Sequence, residues 1–411
     1  MSEHYDYIIA GAGAAGLSLA CNMMDGALSS ARILLIDQDL KQSNDRTWCY
    51  WSDETDDLEH LVYKSWSHLS FLNEAHQHGG ALGRLTYKMI RGGDFYEYAW
   101  AKLRDYANVS FRQERVLHYH STTNGAGVVT NRASYTGKYI FNSCTLPKPD
   151  PGAHFLLQHF AGWWIETESP AFDPQKGYLM DFRTPQKGST RFFYLLPIDE
   201  RRALVEYTVF SPARLQPSEY QSELKTYVEQ TLGILHYTIA ECESGAIPMT
   251  DQIMPKEMYP NVINIGTAGG AVKPTTGYAF SRIRQQAAQV CAQLESGQYP
   301  DSRVKSPVRF RFYDQLLLNI LQNRGDLGKG IFSSLFRYTP IETIFRFLAE
   351  GTKLWQEAKI FLRLPIPTFL KAVWRVFGPM KATPREREAS DPAEKAPVAW
   401  AIPVQDKLQT P

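Results

Sequence analysis

Three glycines and one acid near the start of the chain have the types and spacing to hold a dinucleotide. Gly11, Gly13 and Gly16 form a GxGxxG turn between the apolar run YDYIIA and a segment, residues 14–24, suited to a helix. The first glycine permits the tight turn, the second lets backbone approach a pyrophosphate, and the third lets helix and strand pack closely. Gly11, Gly13, Ala15 and Gly16 are the expected contacts, because unpaired N–H groups at a helix start attract phosphate. Asp37 ends a second buried run, ARILLID, twenty-one residues past Gly16. A carboxylate at that distance accepts from a ribose hydroxyl. The plainer alternative is a glycine turn used for packing alone.

A second glycine cluster stands late in the chain. Gly266, Gly269 and Gly270 lie in IGTAGGAVKPTTGYAF, which returns to strand, turn and helix. They bring backbone close to a second part of an extended cofactor, or they make an ordinary strand-to-helix connection. An acid on the terminal sugar suits FAD or NAD alike; the very early GxGxxG and this late segment favour FAD. Glu206 is the candidate acid. It sits mid-strand in RALVEYTVF among Leu204, Val205, Val209 and Phe210. A carboxyl there is partly desolvated, which raises its pKa and keeps a proton available. The competing reading puts Glu206 on the solvent face of an alternating strand, paired with Arg201 or Arg202. Glu166 and Asp181 are weaker candidates with structural roles.

These residues need an α/β scaffold to position them. The expected fold is a Rossmann-like FAD-binding domain interleaved with an antiparallel-sheet substrate domain and a helical C-terminal part. Residues 1–50 read as the cofactor-binding βαβ unit, and 51–150 as mixed cofactor-domain and connecting segments. The stretch from 47 to 93 is irregular in pattern. Residues 151–245 carry long alternating runs, an antiparallel sheet. Residues 246–300 return to the cofactor domain, 301–378 read as helices rich in Phe, Leu and Trp, and 379–411 form a polar, proline-rich tail with the composition of disorder.

Composition bounds the function. Hydrophobic residues are 44% and charged residues 21%, an ordinary globular balance, and the net charge of +1 argues against a nucleic-acid track or a polybasic anchor. Aromatic content is 13%, which fits a large core or a pocket for an extended apolar ligand. The five cysteines are scattered with no CxxC pair, so no metal site is expected and reduced thiols in a cytoplasm are. The N-terminus reads as a first strand and not a signal peptide. No run reaches the ~20 apolar residues of a membrane span, so any membrane role is peripheral.

Several strings, taken in order, resemble the lycopene cyclase family of carotenoid synthesis. They are YDYIIAGAGAAGLSLA, NDRTWCYW, MIRGGDFY, LLQHFAGWWIE, LMDFR, FFYLLP, RALVEYTVFS, IPMTD and IGTAGGAVKPTTGYAFSRI, covering nearly the whole chain to about residue 377. The resemblance implies the fold of aromatic-ring hydroxylases and geranylgeranyl reductases, non-covalent FAD, and NAD(P)H as reductant. It places Arg46 near the flavin; otherwise Arg46 is a surface group paired with Asp45. It makes Glu206 the essential acid, although a second acid often follows in relatives and this chain has Tyr207. The implied reaction closes β-rings on lycopene, a redox-neutral isomerisation that protonates carbon 2 and loses the carbon 6 proton. A flavin hydroxylase, an isoprenoid reductase and a non-catalytic carotenoid carrier are the competing functions.

Lycopene must come from a bilayer, because exposing a hydrocarbon costs about 0.8 kcal/mol per CH₂. Cytoplasmic, peripherally membrane-associated placement follows. Residues 330–350 set Phe332, Leu335, Phe336, Ile344, Phe345 and Leu348 at helical intervals beside Arg337 and Arg346. They form an apolar lip that docks on lipid, or an amphipathic helix packed on the core.

Overall fold

A computed structural model of the chain describes residues 3–53 and 55–377. The tail expected to be disordered, 379–411, lies outside the described residues. The chain opens with β1 (Glu3–Ala10), α1 (Ala14–Asp25) and β2 (Ile33–Asp37). The second half of β1, Tyr7–Ala10, and β2 up to Ile36 are apolar and buried because both faces are covered there, as parallel sheets require. Then follow β3 (Thr47–Ser52), β4 (Lys64–Trp66), β5 (His68–Leu72), β6 (Gln77–Ala81) and β7 (Thr86–Arg91). The stretch that reads as irregular is therefore five short strands. Three to six residues are too few to display a period against so many aromatic and histidine side chains.

Helix α2 (Gly92–Arg104) leads to β8 (Val109–Gln113), β9 (Val116–Thr122), β10 (Gly125–Thr130) and β11 (Ser134–Asn142). The long strands come next: β12 (Phe155–Thr167), β13 (Lys176–Asp181), β14 (Thr190–Pro197) and β15 (Arg202–Ser211). Helix α3 (Pro217–Thr226) precedes β16 (Tyr237–Thr250), β17 (Glu257–Tyr259) and β18 (Val262–Asn264). Six α-helices complete the described chain: α4 (Phe280–Glu295), α5 (Val308–Asn323), α6 (Gly328–Tyr338), α7 (Ile341–Leu348), α8 (Leu354–Phe361) and α9 (Ile366–Phe377).

Three sheets result. In the first, β18, β11, β1, β2 and β8 run parallel side by side, with β9, β10 and β17 added antiparallel. The second has the order β16-β12-β15-β14-β13-β5-β6 and is antiparallel as expected, except that β13 and β5 pair in parallel. The third joins β3, β7 and β4. The return of the late segment is a matter of hydrogen bonding: β18 pairs with β11, beside β1.

Residues 271–278, which connect β18 to α4, are held by a buried ionic cluster. Lys273 Nζ lies 2.7 Å from both Asp314 and Glu350, and Thr275 donates to Asp314 at 2.8 Å. Removing the cation leaves two enclosed carboxylates facing each other. Lys273→Met is expected to lower stability by about 3–5 kcal/mol, read by urea unfolding.

The lip expected at 330–350 is corrected by packing. Phe332, Leu335 and Phe336 are buried, and Ile344 and Phe345 are fully enclosed. Phe336 stacks on Phe71 of β5 at 4.7 Å, and Phe345 meets Trp51 of β3 at 4.6 Å. The same periodic pattern serves a core as well as a lipid face, and here the second and third sheets supply the partner.

Candidate active site

The glycine turns and Asp37 share one edge of the first sheet. Because β1, β2, β11 and β18 are parallel, their C-terminal ends lie together, and the loops after β1 and β11 leave the edge side by side. Gly11 has φ +105°, and a Cβ there would lie 2.2 Å from Ser143 Oγ. A Cβ on Gly16 would lie 1.9 Å from the Gly11 carbonyl oxygen, so strand and helix touch there as the motif requires. Gly13, by contrast, faces open space and caps α1 without any side-chain hydrogen bond. Asp37 ends β2 and accepts from the Ala12 amide at 2.7 Å.

The second glycine cluster meets the first. Gly266 would place a Cβ 2.8 Å from that of Ala15. Gly269 and Gly270 continue the same turn, their amides donating to the carbonyls of Gly266 and Thr267 at 3.1 Å. Gln286 of α4, buried, pins the turn by accepting from the Gly266 amide at 2.6 Å and donating to the Gly269 carbonyl at 3.2 Å. Sequence reading missed Gln286, because a glutamine in a helix carries no mark of what it caps. Two polar atoms nearby, Gln158 Oε1 and Thr276 Oγ1, are buried without a protein partner. Gly277, next to Thr276, packs against Gln158.

Glu206 points inward. Leu204 and Phe210, on its face of β15, join the core between the second sheet and α6 and α7, whereas Val205, Tyr207 and Val209 enter a separate core on the other face. The reading of Glu206 as a solvent-facing partner of arginine is thus excluded: Arg202 pairs with Asp199 instead. Glu206 keeps intermediate exposure, as a group meeting a substrate must, yet enough protein surrounds it to desolvate the carboxyl. Burial first, then repulsion from Glu243, pushes it up to about 8, against a hydrogen bond from Thr208 at 2.8 Å.

Glu243 is the second carboxyl, and sequence reading missed it. Gly162 of β12 is in register with Glu206 on β15 and with Glu243 on β16. The two acids therefore flank one residue on the same sheet face. That residue lacks a side chain: a Cβ on Gly162 would lie 3.1 Å from Glu243 Cγ and 3.5 Å from Glu206 Cβ. Glu243 is buried, and its Oε2 accepts from Thr47 Oγ1 at 2.7 Å and from the Trp164 indole N–H at 3.3 Å. Burial raises its pKa as well, but these two donors and the nearby Arg91 oppose the rise. With more hydrogen bonds to its charged form, Glu243 loses its proton first and Glu206 keeps one. Tyr207 cannot serve as the second group. It lies on the far face, fully buried and bonded to Arg191.

Aromatic rings surround the pair. Tyr194 stands opposite Glu206 on β14. Tyr278, at the end of the late glycine segment, hydrogen-bonds Tyr87 at 3.0 Å and packs edge-on to Trp51 at 4.7 Å. The charges of both carboxyls add to the rise that burial imposes on the Cys49 thiol. The segment that meets the GxGxxG turn at Gly266 thus runs on to Tyr278, close enough to Glu206 to feel its charge. Arg46, just before Thr47, is half exposed and paired with Asp45 at 2.8 Å; Tyr96 and Lys41 also hold Asp45. Asp181 is fully buried between Arg183 and Tyr227, and Glu166 is exposed.

The raised pKa of Glu206 has a consequence for stability. Its folded-state value lies above the ordinary 4.5, so the stability it permits is complete below that pH and falls as pH rises through about 8. Glu206→Gln removes this ionisation. The Tm difference between variant and wild type is expected to shift in the variant's favour from pH 5 to pH 9, measured by calorimetry.

Comparison with known proteins gives the family and the fold. The sequence pattern of the lycopene cyclase protein family matches residues 6–373. The chain belongs to the lycopene cyclase family. It is 24% identical over 297 residues to a lycopene beta-cyclase of Pantoea ananas, covering 68% of this chain and 72% of that protein. It is 24% identical over 394 residues to a lycopene beta-cyclase of a Paracoccus species, covering 88% and 95%. Among solved structures, the fold is similar to a geranylgeranyl bacteriochlorophyll reductase-like protein from Thermoplasma acidophilum, with TM-score 0.56, 13% identity and coverage of 92% and 97%. It is also similar to Klebsiella pneumoniae HpxO complexed with FAD, with TM-score 0.57, 13% identity and coverage of 88% and 100%. The enzyme class implied by the sequence strings, a lycopene cyclase of carotenoid biosynthesis, stands on the family match, and so does the expected mixed α/β fold with a helical C-terminal part.

Proposed function

We propose that the chain closes β-rings on the linear ends of lycopene, giving γ-carotene and β-carotene, with reduced FAD at the glycine edge and NAD(P)H as its reductant. The observation that carries this reading is the acid pair flanking Gly162, where burial and the neighbouring carboxyl raise Glu206. The glycine edge fits FAD. Gly13 leaves room for a pyrophosphate at the uncapped start of α1, Asp37 stands at the ribose position, and the orphaned Gln158 and Thr276 atoms suit a ligand lying along residues 271–278. Gly11, Ala15, Gly16, Gly266, Gly269 and Gly270 would bring backbone to that ligand, and Arg46 would border its far side. Reduced FAD, when bound, supplies negative charge and electron density beside the site.

The protein's own part follows from the pair. Glu206 gives its proton to carbon 2 of the terminal double bond, leaving a tertiary cation at carbon 1. The carbon 5–carbon 6 double bond attacks, forming the ring bond and moving the charge to carbon 5. Loss of the carbon 6 proton to a carboxylate completes the β-ring with no net change in atoms or electrons. Glu243, ionised and held by Thr47 and Trp164, opposes the positive charge, and the faces of Tyr194 and Tyr278 add cation–π attraction. Lycopene would reach this site from a membrane surface; among the described residues no helix is long and apolar enough to cross a membrane.

Expression in cells that accumulate lycopene, with pigments separated by chromatography, tests the reading. Ring-closed products are expected, with NAD(P)H needed only to reduce the flavin. Nicotinamide oxidised in step with product, or oxygen consumed, would instead mark a reductase or hydroxylase. Carotenoid recovered unchanged with the protein would mark a carrier.

A further inference from the structure

The C-terminal helices carry an apolar surface that the fold leaves uncovered. Leu354, Trp355 and Leu362 lie on or just after α8, and Ile366, Leu370 and Trp374 lie on α9; all six are exposed, Leu362 by 73% and Trp374 by 65%. The three on α9 are spaced by four residues and form one stripe. The helices are already anchored by other faces. Ile360 of α8 enters the core of the second sheet, and Ala372 of α9 packs with Leu316 and Ile320 of α5. Each helix is thus apolar on two sides, and among the described residues only one side has a partner.

Charge says what fits the other. Residues 351–377 contain Lys353, Lys359, Arg363, Lys371 and Arg375, all exposed, against a single acid. That acid, Glu357, points inward and binds Arg309 at 3.1 Å, so it does not offset the outer charge. On α9, Lys371 and Arg375 each follow a member of the stripe, and on α8 Lys359 sits over the Trp355 ring at 4.7 Å. Apolar side chains including tryptophan, edged by cations, match the boundary between lipid acyl chains and anionic headgroups. A second copy of the chain fits poorly, since two such faces would oppose five cations with five.

We propose that α8 and α9 dock this protein on an anionic lipid surface, with Leu362, Ile366, Leu370 and Trp374 inserted below the headgroups. The inference rests on the cyclase reading only for its purpose, delivery of a bilayer-dissolved substrate. The test is flotation of the full chain with vesicles of phosphatidylcholine alone or mixed with phosphatidylglycerol. A triple variant, Leu362→Asp, Leu370→Asp and Trp374→Asp, is run beside it. Wild type is expected to float with the mixed vesicles, less with the neutral ones and less at high salt. The variant is expected to lose about tenfold or more in partitioning, as removal of buried apolar area requires, while its circular dichroism is unchanged. In detergent-dispersed lycopene the variant should cyclise as wild type does, and only conversion from vesicles should fall. Wild type that does not float, or a variant that floats equally, overturns the docking face. So does a lipid-free wild type that sediments as a dimer while the variant sediments as a monomer. Wild type that floats without cyclising anything leaves the docking face standing and refutes the cyclase reading.

Discussion

Glu206→Gln is expected to cut ring closure about a thousandfold, within the range for loss of a positioned acid, while the protein still folds and retains flavin. The amide has the size of the carboxylic acid and no transferable proton. Thr208 is two residues away on the same face and donates a hydrogen bond that an amide oxygen also accepts. The glycine edge, on a different sheet, is untouched. Rates measured with lycopene in detergent, beside the flavin absorbance per chain, separate lost chemistry from lost folding. In wild type the rate should fall as pH rises through about 8, because the ionised acid cannot protonate the alkene.

Glu243→Gln is expected to cost about a hundredfold, the scale of one electrostatic stabiliser in a dry site, and to leave a signature no merely structural change would produce. Repulsion from Glu243 is one of the two forces that raise Glu206, the first being burial. Without the anion, Glu206 ionises more easily. The alkaline limb of the pH–rate profile should then move to lower pH. Thr47→Val, which removes one of the donors to Glu243, should lower the plateau rate without moving the limb to lower pH, because Glu243 then takes a larger share of the proton that the pair still holds. An unmoved limb in Glu243→Gln would remove Glu243 from the chemistry.

Much of this was legible before any coordinates. A GxGxxG turn between an apolar run and a helix, ending in Asp37, has one geometric solution, and the structure adopts it. Glu206 was a candidate because it is an acid among four apolar neighbours, a pattern that also suited a solvent face, and the family strings favoured the inward reading. Glu243 was not. Its string, ECESG, holds three polar residues among five and reads as exposed, and indeed Glu241 is exposed and pairs with Arg91. Only the register of β16 against β12 places Glu243 opposite Gly162, and register is set by pairing across eighty residues that no local pattern encodes. The apolar segments at 330–350 and 354–374 show the complementary failure. Both have helical periodicity, yet the first is core and the second keeps one apolar face exposed among the described residues, since periodicity reveals an apolar face and not what covers it.

The central claim is that one carboxyl, at position 206, is protonated at neutral pH because Glu243 and burial hold its proton. Infrared difference spectroscopy of the flavin-loaded protein across a pH titration tests it most directly. A protonated-carboxyl carbonyl band should be present at pH 7, fade as pH passes about 8, vanish in Glu206→Gln and titrate at lower pH in Glu243→Gln. No such band at pH 7, or one that survives Glu206→Gln unchanged, would contradict the claim.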